Sequence, residues 1–232
     1  MSATTAPRPQ GSRMYDELMA VHAIMRRGTA LVTGSLDRLA HEKSVGVKAL
    51  VGTARWMIQF VHHHHTIEDD LFWPVLRELC PAAVDELAVL TREHLVLDVE
   101  LRRLSREVDA LAALDGSRDR ADRADRAAAA QAALPSARRV GELLLAHLAL
   151  EEPVLRKLLP YVADTDIVRL RKAVVHGAPR TGPHLVIGLM EDPDPVQGRP
   201  DMLSNFPPPI RWARPLLLNR YHATTQALGA AR

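Results

Sequence analysis

The amino-acid sequence predicts an all-α protein, an antiparallel up-down four-helix bundle followed by a proline-rich C-terminal extension. The composition favours helix over strand, because 47% of the 232 residues are hydrophobic, only 4% are aromatic, and Ala, Leu, Val and Arg dominate. Four segments also carry apolar residues at alternating steps of three and four, the period of a helix with one buried face. Mostly short connections join these segments, so neighbouring helices should be antiparallel.

The bundle is expected over residues 14–163, between a loose, disordered arm at 1–13 and the extension at 164–232. Within the bundle the apolar pattern and the helix-end signals predict four long helices, and a short amphipathic helix follows it. The predicted helices cover residues 14–42, 46–79, 81–114, 126–162 and 166–177.

Two parts of this layout leave alternatives open. The polar repeat DGSRDRADRADR at 115–126 is either a solvated loop or the frayed start of the fourth helix, in which Pro135 and Pro153 are expected to cause kinks. Residues 178–215 hold many prolines, and a final helix is predicted over 215–228. This arm is expected to pack on the bundle or on a second subunit, which would make a homodimer contact. The alternative is a lid over a site.

Composition excludes several classes of function. The net charge of +2 comes from 30 basic and 28 acidic residues that are well mixed, and no basic stripe with interleaved aromatic residues indicates a nucleic-acid partner. No apolar run approaches the length that spans a membrane. The single cysteine, Cys80, excludes an internal disulfide, and residues 1–13 lack the apolar core of a secretory signal. We therefore expect a cytoplasmic protein.

Each apolar seam can be traced along its helix. The predicted seam of the second helix continues past Glu68 to Leu71 and Val75. The predicted seam of the third helix is Leu87, Leu90, His94, Leu97, Leu101, Leu104, Val108 and Leu111.

Each seam is interrupted at one place. A histidine lies there on all four helices, and on two helices a glutamate follows four residues later. The interrupting residues are His22, His64 with Glu68, His94, and His147 with Glu151. Counted from the predicted turns, successive histidines lie at similar distances, and at about 1.5 Å per residue the mismatches amount to only a few Å. The four histidines should therefore meet in one layer across the bundle.

Buried glutamates in this layer point to a metal. An isolated ionised carboxylate in a core costs many kcal/mol unless it is paired or bound to a metal. The i,i+4 spacing places the imidazole and the carboxylate on one face of each helix. Six side chains then offer four nitrogens and two carboxylates that can bridge, which favours two non-haem iron ions with an oxo or hydroxo bridge over zinc or manganese.

At this point the pattern H…HxxxE…H…HxxxE, with the segments HHTIEDDLFWP and HLALEEPVLRKLLP, resembles the hemerythrin-like (HHE cation-binding) domain family, including many actinobacterial members. The resemblance covers residues 14–163. It implies an antiparallel four-helix bundle around a non-haem di-iron site. The ligands that it implies here are His22, His64, Glu68, His94, His147 and Glu151.

The sequence also departs from the oxygen-carrying members. They place two histidines one turn apart on the third helix, where this chain has only His94, with Asp98 four residues later. They end the fourth-helix motif with an aspartate five residues after the histidine, where this chain has Glu152. These departures count against reversible O2 transport. His65 is a candidate seventh ligand, and the alternative is that it lies at the margin of the site.

Acidic residues beside the ligands are expected to orient the histidines through the second ring nitrogen. The candidates are Asp69, Asp98 and Glu152, whereas His62 and His63 should face outward. The resulting hypothesis is a di-iron protein that binds and reacts with a small oxidant, namely O2, H2O2 or NO, with peroxide or NO detoxification as the leading reaction. The alternatives are O2 or redox sensing, iron storage without turnover, and an oxygenase acting on an organic substrate. The resemblance does not separate these functions.

Overall fold

The computed structural model describes residues 9–114, 120–177 and 181–230. Within these ranges the chain is helical and contains no strand. Four long helical segments form the bundle. They are α1 (Pro9–Ala40), α2 (Val47–Ile67) with its continuation through a π-helical turn (Glu68–Phe72) into α3 (Trp73–Leu79), α4 (Val84–Ala113) and α5 (Arg120–Leu158). None of the helices described is both long enough and apolar enough to cross a membrane.

The rest of the chain forms shorter helices joined to the bundle. They are α6 (Asp164–Gly177), α7 (Pro183–Glu191), α8 (Arg199–Ser204), α9 (Pro208–Trp212) and α10 (Arg214–Ala227). Single 3-10 turns at Pro81–Ala83 and Leu159–Tyr161 open α4 and close α5. The predicted short helix at 166–177 and final helix at 215–228 therefore correspond to α6 and α10.

The fold class is confirmed, and the differences lie at helix ends. Helix α1 begins at Pro9, so residues 9–13 are helical and not part of a loose arm, while residues 1–8 lie outside the described ranges. Proline at the first helical position costs no hydrogen bond, because that amide has no partner within the helix. Helix α5 begins at Arg120, so residues 120–126 continue the fourth helix, and residues 115–119 are not described.

Helix α5 contains both predicted kink sites. Pro135 and Pro153 lie inside its 39 residues, and the helix is continuous from Arg120 to Leu158. A proline inside a helix removes one backbone hydrogen bond, and this cost is tolerated where packing holds the flanking turns. Buried side chains flank both positions, with Leu134 and Ser136 beside the first proline and Glu151 two residues before the second.

The core of the bundle is divided into two hydrophobic clusters by the histidine layer. The larger cluster contains Met25, Val61 and Leu97, and the smaller one contains Leu18 and Phe72. On α1, for example, Leu18 and Met25 lie on opposite sides of His22. The polar layer is thus sealed by apolar side chains both above and below.

The C-terminal extension packs along the outside of α1, which is the first of the two predicted alternatives. Five of the six buried residues of α7 are apolar side chains in the larger cluster, and the sixth is Gly188. A Cβ atom at Gly188 would overlap the ring of Tyr221, so this glycine allows the close approach of α7 and α10. The homodimer contact stays a prediction.

Arginines of α1 fix the extension by binding its backbone. The Nη1 atom of Arg27 donates to the carbonyl oxygens of Leu189, Asp192 and Asp194 at 2.9, 3.1 and 2.9 Å. Arg38 donates to the carbonyl of Leu228 at 3.1 Å. Each guanidinium satisfies carbonyls that would otherwise lack a partner after a helix ends.

Replacing Arg27 with Met should loosen the extension while leaving the bundle folded. We expect the free energy of unfolding to fall by about 1–3 kcal/mol, because hydrogen bonds from a charged donor are lost. Amide hydrogen exchange in α7 and α10 should become faster. The control is Arg139→Met, whose guanidinium reaches the exposed Glu142 on the same helix, and it should change stability by no more than about 0.5 kcal/mol. Unchanged exchange in α7 of the Arg27 variant would contradict the clamp.

Candidate metal centre

The histidine run of the sequence lies on the last turn of α2, directly before the π-helical turn. His64 and His65 precede Glu68 by four and three residues, so all three side chains lie on one helix face. The amide of Trp73 then donates to the carbonyl of Glu68, five residues back. Such π turns are frequent at functional sites. One continuous helical segment therefore contributes three candidate metal ligands, His64, His65 and Glu68, at the same level along the bundle axis.

The π turn also changes which residues are buried after Glu68. The helical period predicts Leu71 and Val75 on the buried seam, but Leu71 is 42% exposed and Phe72 and Leu76 are buried instead. That prediction was wrong because the wide turn adds one residue to the period. The same shift brings Trp73 under the histidine layer, with its ring centroid 6.5 Å from that of His94.

Side chains from four helices converge into two groups that share Glu68. In each group the candidate donor atoms lie within 4.8 Å of one another. The first group is His65, Glu68, His94 and His147, and the second is His22, His64, Glu68 and Glu151. All seven residues predicted from the sequence are therefore brought together. His65 lies inside the layer and not at its margin, with its ring centroid 4.2 Å from that of His94.

Each glutamate directs one oxygen toward each group of histidines. Glu68 places Oε1 3.1 Å from Nε2 of His64 and Oε2 3.7 Å from Nε2 of His94. Glu151 places Oε1 3.5 Å from Nε2 of His22 and Oε2 3.0 Å from Nε2 of His147. Both carboxylates thus span the space between the two groups.

A second set of carboxylates lies outside the histidine layer and forms hydrogen bonds with the Nδ1 atoms of three of the histidines. In each pair a histidine Nδ1 lies 3.0 Å from a carboxylate oxygen. The pairs are His22 with Glu152, His94 with Asp69, and His147 with Glu93. A carboxylate at this distance keeps the proton on Nδ1 and leaves the Nε2 lone pair pointing into the layer.

Two of these outer carboxylates are themselves held in place. Arg26 donates to Glu152 at 2.7 Å, and Thr91 donates to Asp69 at 3.0 Å. Burial acts to raise the pKa of Glu152, but its hydrogen bonds with His22 and then with Arg26 lower it to about 2. Glu152 is therefore ionised and can accept a hydrogen bond from Nδ1 of His22.

Not every predicted orienting residue is in place. Asp69 and Glu152 lie against ligand-type histidines, as predicted, but Asp98 lies 2.9 Å from the exposed His62 and not beside the layer. Glu93 takes the place beside His147 and was missed by the sequence reasoning. The only signal for Glu93 was its position next to His94, at the height of the layer. A side chain that crosses to a neighbouring helix leaves no mark in the period of its own helix.

Several buried donor atoms have no hydrogen-bond partner. They are Nε2 of His22 and His64, both ring nitrogens of His65, and both oxygens of Glu68 and Glu151. Burial first, and then the negative charge of Glu151, raises the pKa of Glu68 well above its usual value. A buried carboxylate whose charge is not compensated is costly, and bound cations would offset both the desolvation of Glu68 and its repulsion by Glu151.

Two of the histidines are already in the neutral form that binds cations. Burial lowers the pKa of His64 to about 4 and that of His65 well below its usual value, so both rings are neutral at neutral pH. Burial also acts to lower the pKa of His147, but its contacts with Glu151 and then Glu93 raise that pKa to about 9, so a bound cation would displace a proton from this ring. His94 and His147 present Nε2 atoms 3.0 Å apart. Two nitrogens about 2.1 Å from one ion and at right angles are also about 3.0 Å apart, so these residues fit a metal ion.

Four antiparallel helices around buried histidines and carboxylates define a class of metal-binding helical bundles. A family model, the hemerythrin HHE cation binding domain, matches residues 13–162. This match covers more than half of the chain, so the chain belongs to that family, and the resemblance seen over 14–163 is confirmed. Comparisons with curated proteins and with solved structures gave no match. Membership together with the two donor groups identifies a metal-binding protein, with iron the metal typical of the family.

In the metal-free protein, replacing Glu68 with Met should increase stability. The substitution removes a buried carboxylate whose oxygens lack partners, and we expect a gain of about 1–3 kcal/mol in the free energy of unfolding by denaturant. The same variant should lose the stabilisation that added metal gives the wild-type chain. Glu142→Met is the control, since Glu142 is exposed, and it should stay within about 0.5 kcal/mol. A metal-free Glu68→Met protein less stable than wild type would contradict the idea of an uncompensated carboxylate.

Proposed function

We propose that the chain holds two non-haem iron ions and uses them to react with a small oxidant. Hydrogen peroxide is the oxidant that we favour. One ion would be held by His65, His94 and His147, and the other by His22 and His64. Glu68 and Glu151 would each bind both ions through separate oxygens. The observation that carries this proposal is the orientation of these two carboxylates, each with one oxygen toward each group of histidines.

The two sets of donors are unequal in number. With the glutamates counted in both, the set around His94 offers three nitrogens and two oxygens, and the set around His22 offers two nitrogens and two oxygens. The set with fewer donors leaves more room for a molecule from outside the protein. His65 supplies the fifth nitrogen, which replaces the second histidine that oxygen-carrying relatives place on the third helix.

The surrounding residues restrict what reaches the donors. All seven donor side chains are at most 9% exposed, and the two hydrophobic clusters close the layer on both sides. This burial favours a reactant with two non-hydrogen atoms, such as H2O2, O2 or NO, over a bulky organic substrate. The apolar walls exclude bulk water, which strengthens electrostatic interactions inside the layer.

The outer carboxylates hold the donors in the form needed for binding. Glu152, Asp69 and Glu93 accept hydrogen bonds from Nδ1–H of three histidines, which fixes the ring orientation and makes Nε2 more basic. A pair of iron ions held here would supply the exchange of electrons between ferrous and ferric states. Disproportionation of peroxide to O2 and water balances without any external reductant, so no further redox partner is required.

Iron content tests the assignment of the donors. Wild-type protein loaded anaerobically with ferrous iron and desalted should retain about two iron ions per chain, one for each donor group. His65→Ala should bind one of them at least tenfold more weakly, because a nitrogen ligand is lost. The control variant His63→Ala, which changes a histidine two residues away, should retain both iron ions. Equal iron content in the two variants would remove His65 from the ligand set, and a wild-type value near one would contradict the paired site.

Reaction with peroxide tests the function. Iron-loaded protein should evolve O2 from H2O2 with an oxygen electrode signal well above that of the same iron concentration mixed with Glu68→Ala protein, which controls for free iron. Anaerobic reduction followed by exposure to O2 or NO, watched by optical spectroscopy, gives the competing outcomes. A stable, reversible O2 adduct without peroxide consumption would overturn the peroxide proposal in favour of binding or sensing. Iron uptake that continues far beyond two ions would favour storage.

Cytoplasmic location stays a prediction.

A further inference from the structure

A cleft of about 440 Å³ lies between α2, the start of α7 and α10, and none of its lining residues belongs to the donor layer. This volume falls within the range of small-molecule binding sites. Helix α2 contributes Lys48, Arg55 and Trp56, the start of α7 contributes His184, and α10 contributes Arg220. Among the residues that line it, none is acidic.

Two of these basic residues carry charges without an acidic partner. Arg55 is already neutralised by Asp109, with Nη2 2.7 Å from Oδ1. Lys48 and Arg220 form no ion pair within the described part of the chain, and both are exposed at the mouth of the cleft. Burial first, and then the positive charge of Arg220, lowers the pKa of His184. The cleft thus has a net positive field that its own walls do not cancel.

Backbone and side-chain groups near α7 add to this field. The N-cap residue of α7 is Gly182, which offers no side chain to the first turn of the helix, and both Gly182 and Thr181 line the cleft. The amino end of a helix carries a partial positive charge that favours anions. Nδ1 of His184 is buried and has no hydrogen-bond partner.

The wall of the cleft is held rigidly in place. Nε1 of Trp56 donates to the carbonyl of Thr181 at 3.2 Å, and its ring stacks on Phe60 with centroids 5.0 Å apart. Gly182 has a φ of 65°, and a Cβ atom there would lie 2.5 Å from the indole of Trp56. Glycine at this position therefore allows the chain to pass directly over Trp56, which joins the start of α7 to α2 and forms the cleft.

We propose that this cleft binds a small molecule bearing an oxyanion, either a phosphate or a carboxylate, between Lys48 and Arg220. Thr53 and Thr181 also line the cleft, and their hydroxyl groups can donate to the oxyanion. This site is separate from the proposed di-iron function and does not depend on it.

Equilibrium dialysis of the full-length, iron-loaded protein against labelled inorganic phosphate tests the site, with ionic strength held constant by chloride. We expect saturable binding that the double variant Lys48→Gln, Arg220→Gln weakens at least about tenfold. The control is the double variant Arg139→Gln, Arg211→Gln, which removes the same charge from α5 and α9 without touching the cleft. It should alter the affinity no more than about twofold.

The outcomes separate a site from general attraction between charges. Equal loss of binding in the cleft variant and in the control variant would overturn the proposal. Absence of saturable binding for phosphate, phenyl phosphate and benzoate alike would overturn it too. Tighter binding of phenyl phosphate than of benzoate assigns a phosphate ligand, and the reverse assigns a carboxylate. All substituted side chains are exposed, and an unchanged far-UV circular dichroism spectrum and thermal unfolding midpoint confirm that each variant is folded.

Discussion

The structure depends on one constraint, which is the burial of two carboxylates and five histidines in the middle of a helical core. No single helix can satisfy these groups, since an isolated buried carboxylate costs several kcal/mol. The four long helical segments must therefore bring their polar residues to the same height. Leu18 and Met25 on either side of His22 show the consequence on α1, where the hydrophobic core is split into two clusters by the polar layer. This layer fixes the axial positions of the helices relative to one another more strictly than apolar packing does, because apolar packing tolerates sliding and repacking.

The outer carboxylates connect the layer to the packing of the bundle. Each of them crosses from one helical segment to the next. Glu152 on α5 reaches His22 on α1, Glu93 on α4 reaches His147 on α5, and Asp69 in the π turn reaches His94 on α4. The same hydrogen bonds that orient the proposed ligands therefore also hold neighbouring helices in register. Removing one of these carboxylates would disturb a ligand and a helix contact together, as is common where polar networks are buried.

Sequence reasoning succeeds where the helical period is regular and fails where it is not. On α4 all eight predicted seam residues, from Leu87 to Val108 and Leu111, are buried. On α2 the period holds up to Glu68 and then fails, because nothing in the residue types signals the five-residue hydrogen bond of the π turn. His65 was left undecided because the four consecutive histidines at 62–65 differ only in helical phase. Contacts between helices, such as those of Glu93 and Asp98, depend on side-chain direction and helix rotation, which a single sequence does not specify.

The C-terminal extension contacts the two helices that carry the histidines of the smaller donor set in our proposal. These histidines, His22 and His64, lie on α1 and α2. The extension is bound to α1 through Arg27 and Arg38, and it contacts α2 where Gly182 lies against Trp56. Four-helix bundles without such an addition leave the outer sides of all helices to solvent. Here α7 adds a buried apolar face behind α1, next to Met57 of α2. Motion of α1 relative to α2 would separate His22 from His64, so the extension restrains the side of the layer where our proposal places the entering oxidant.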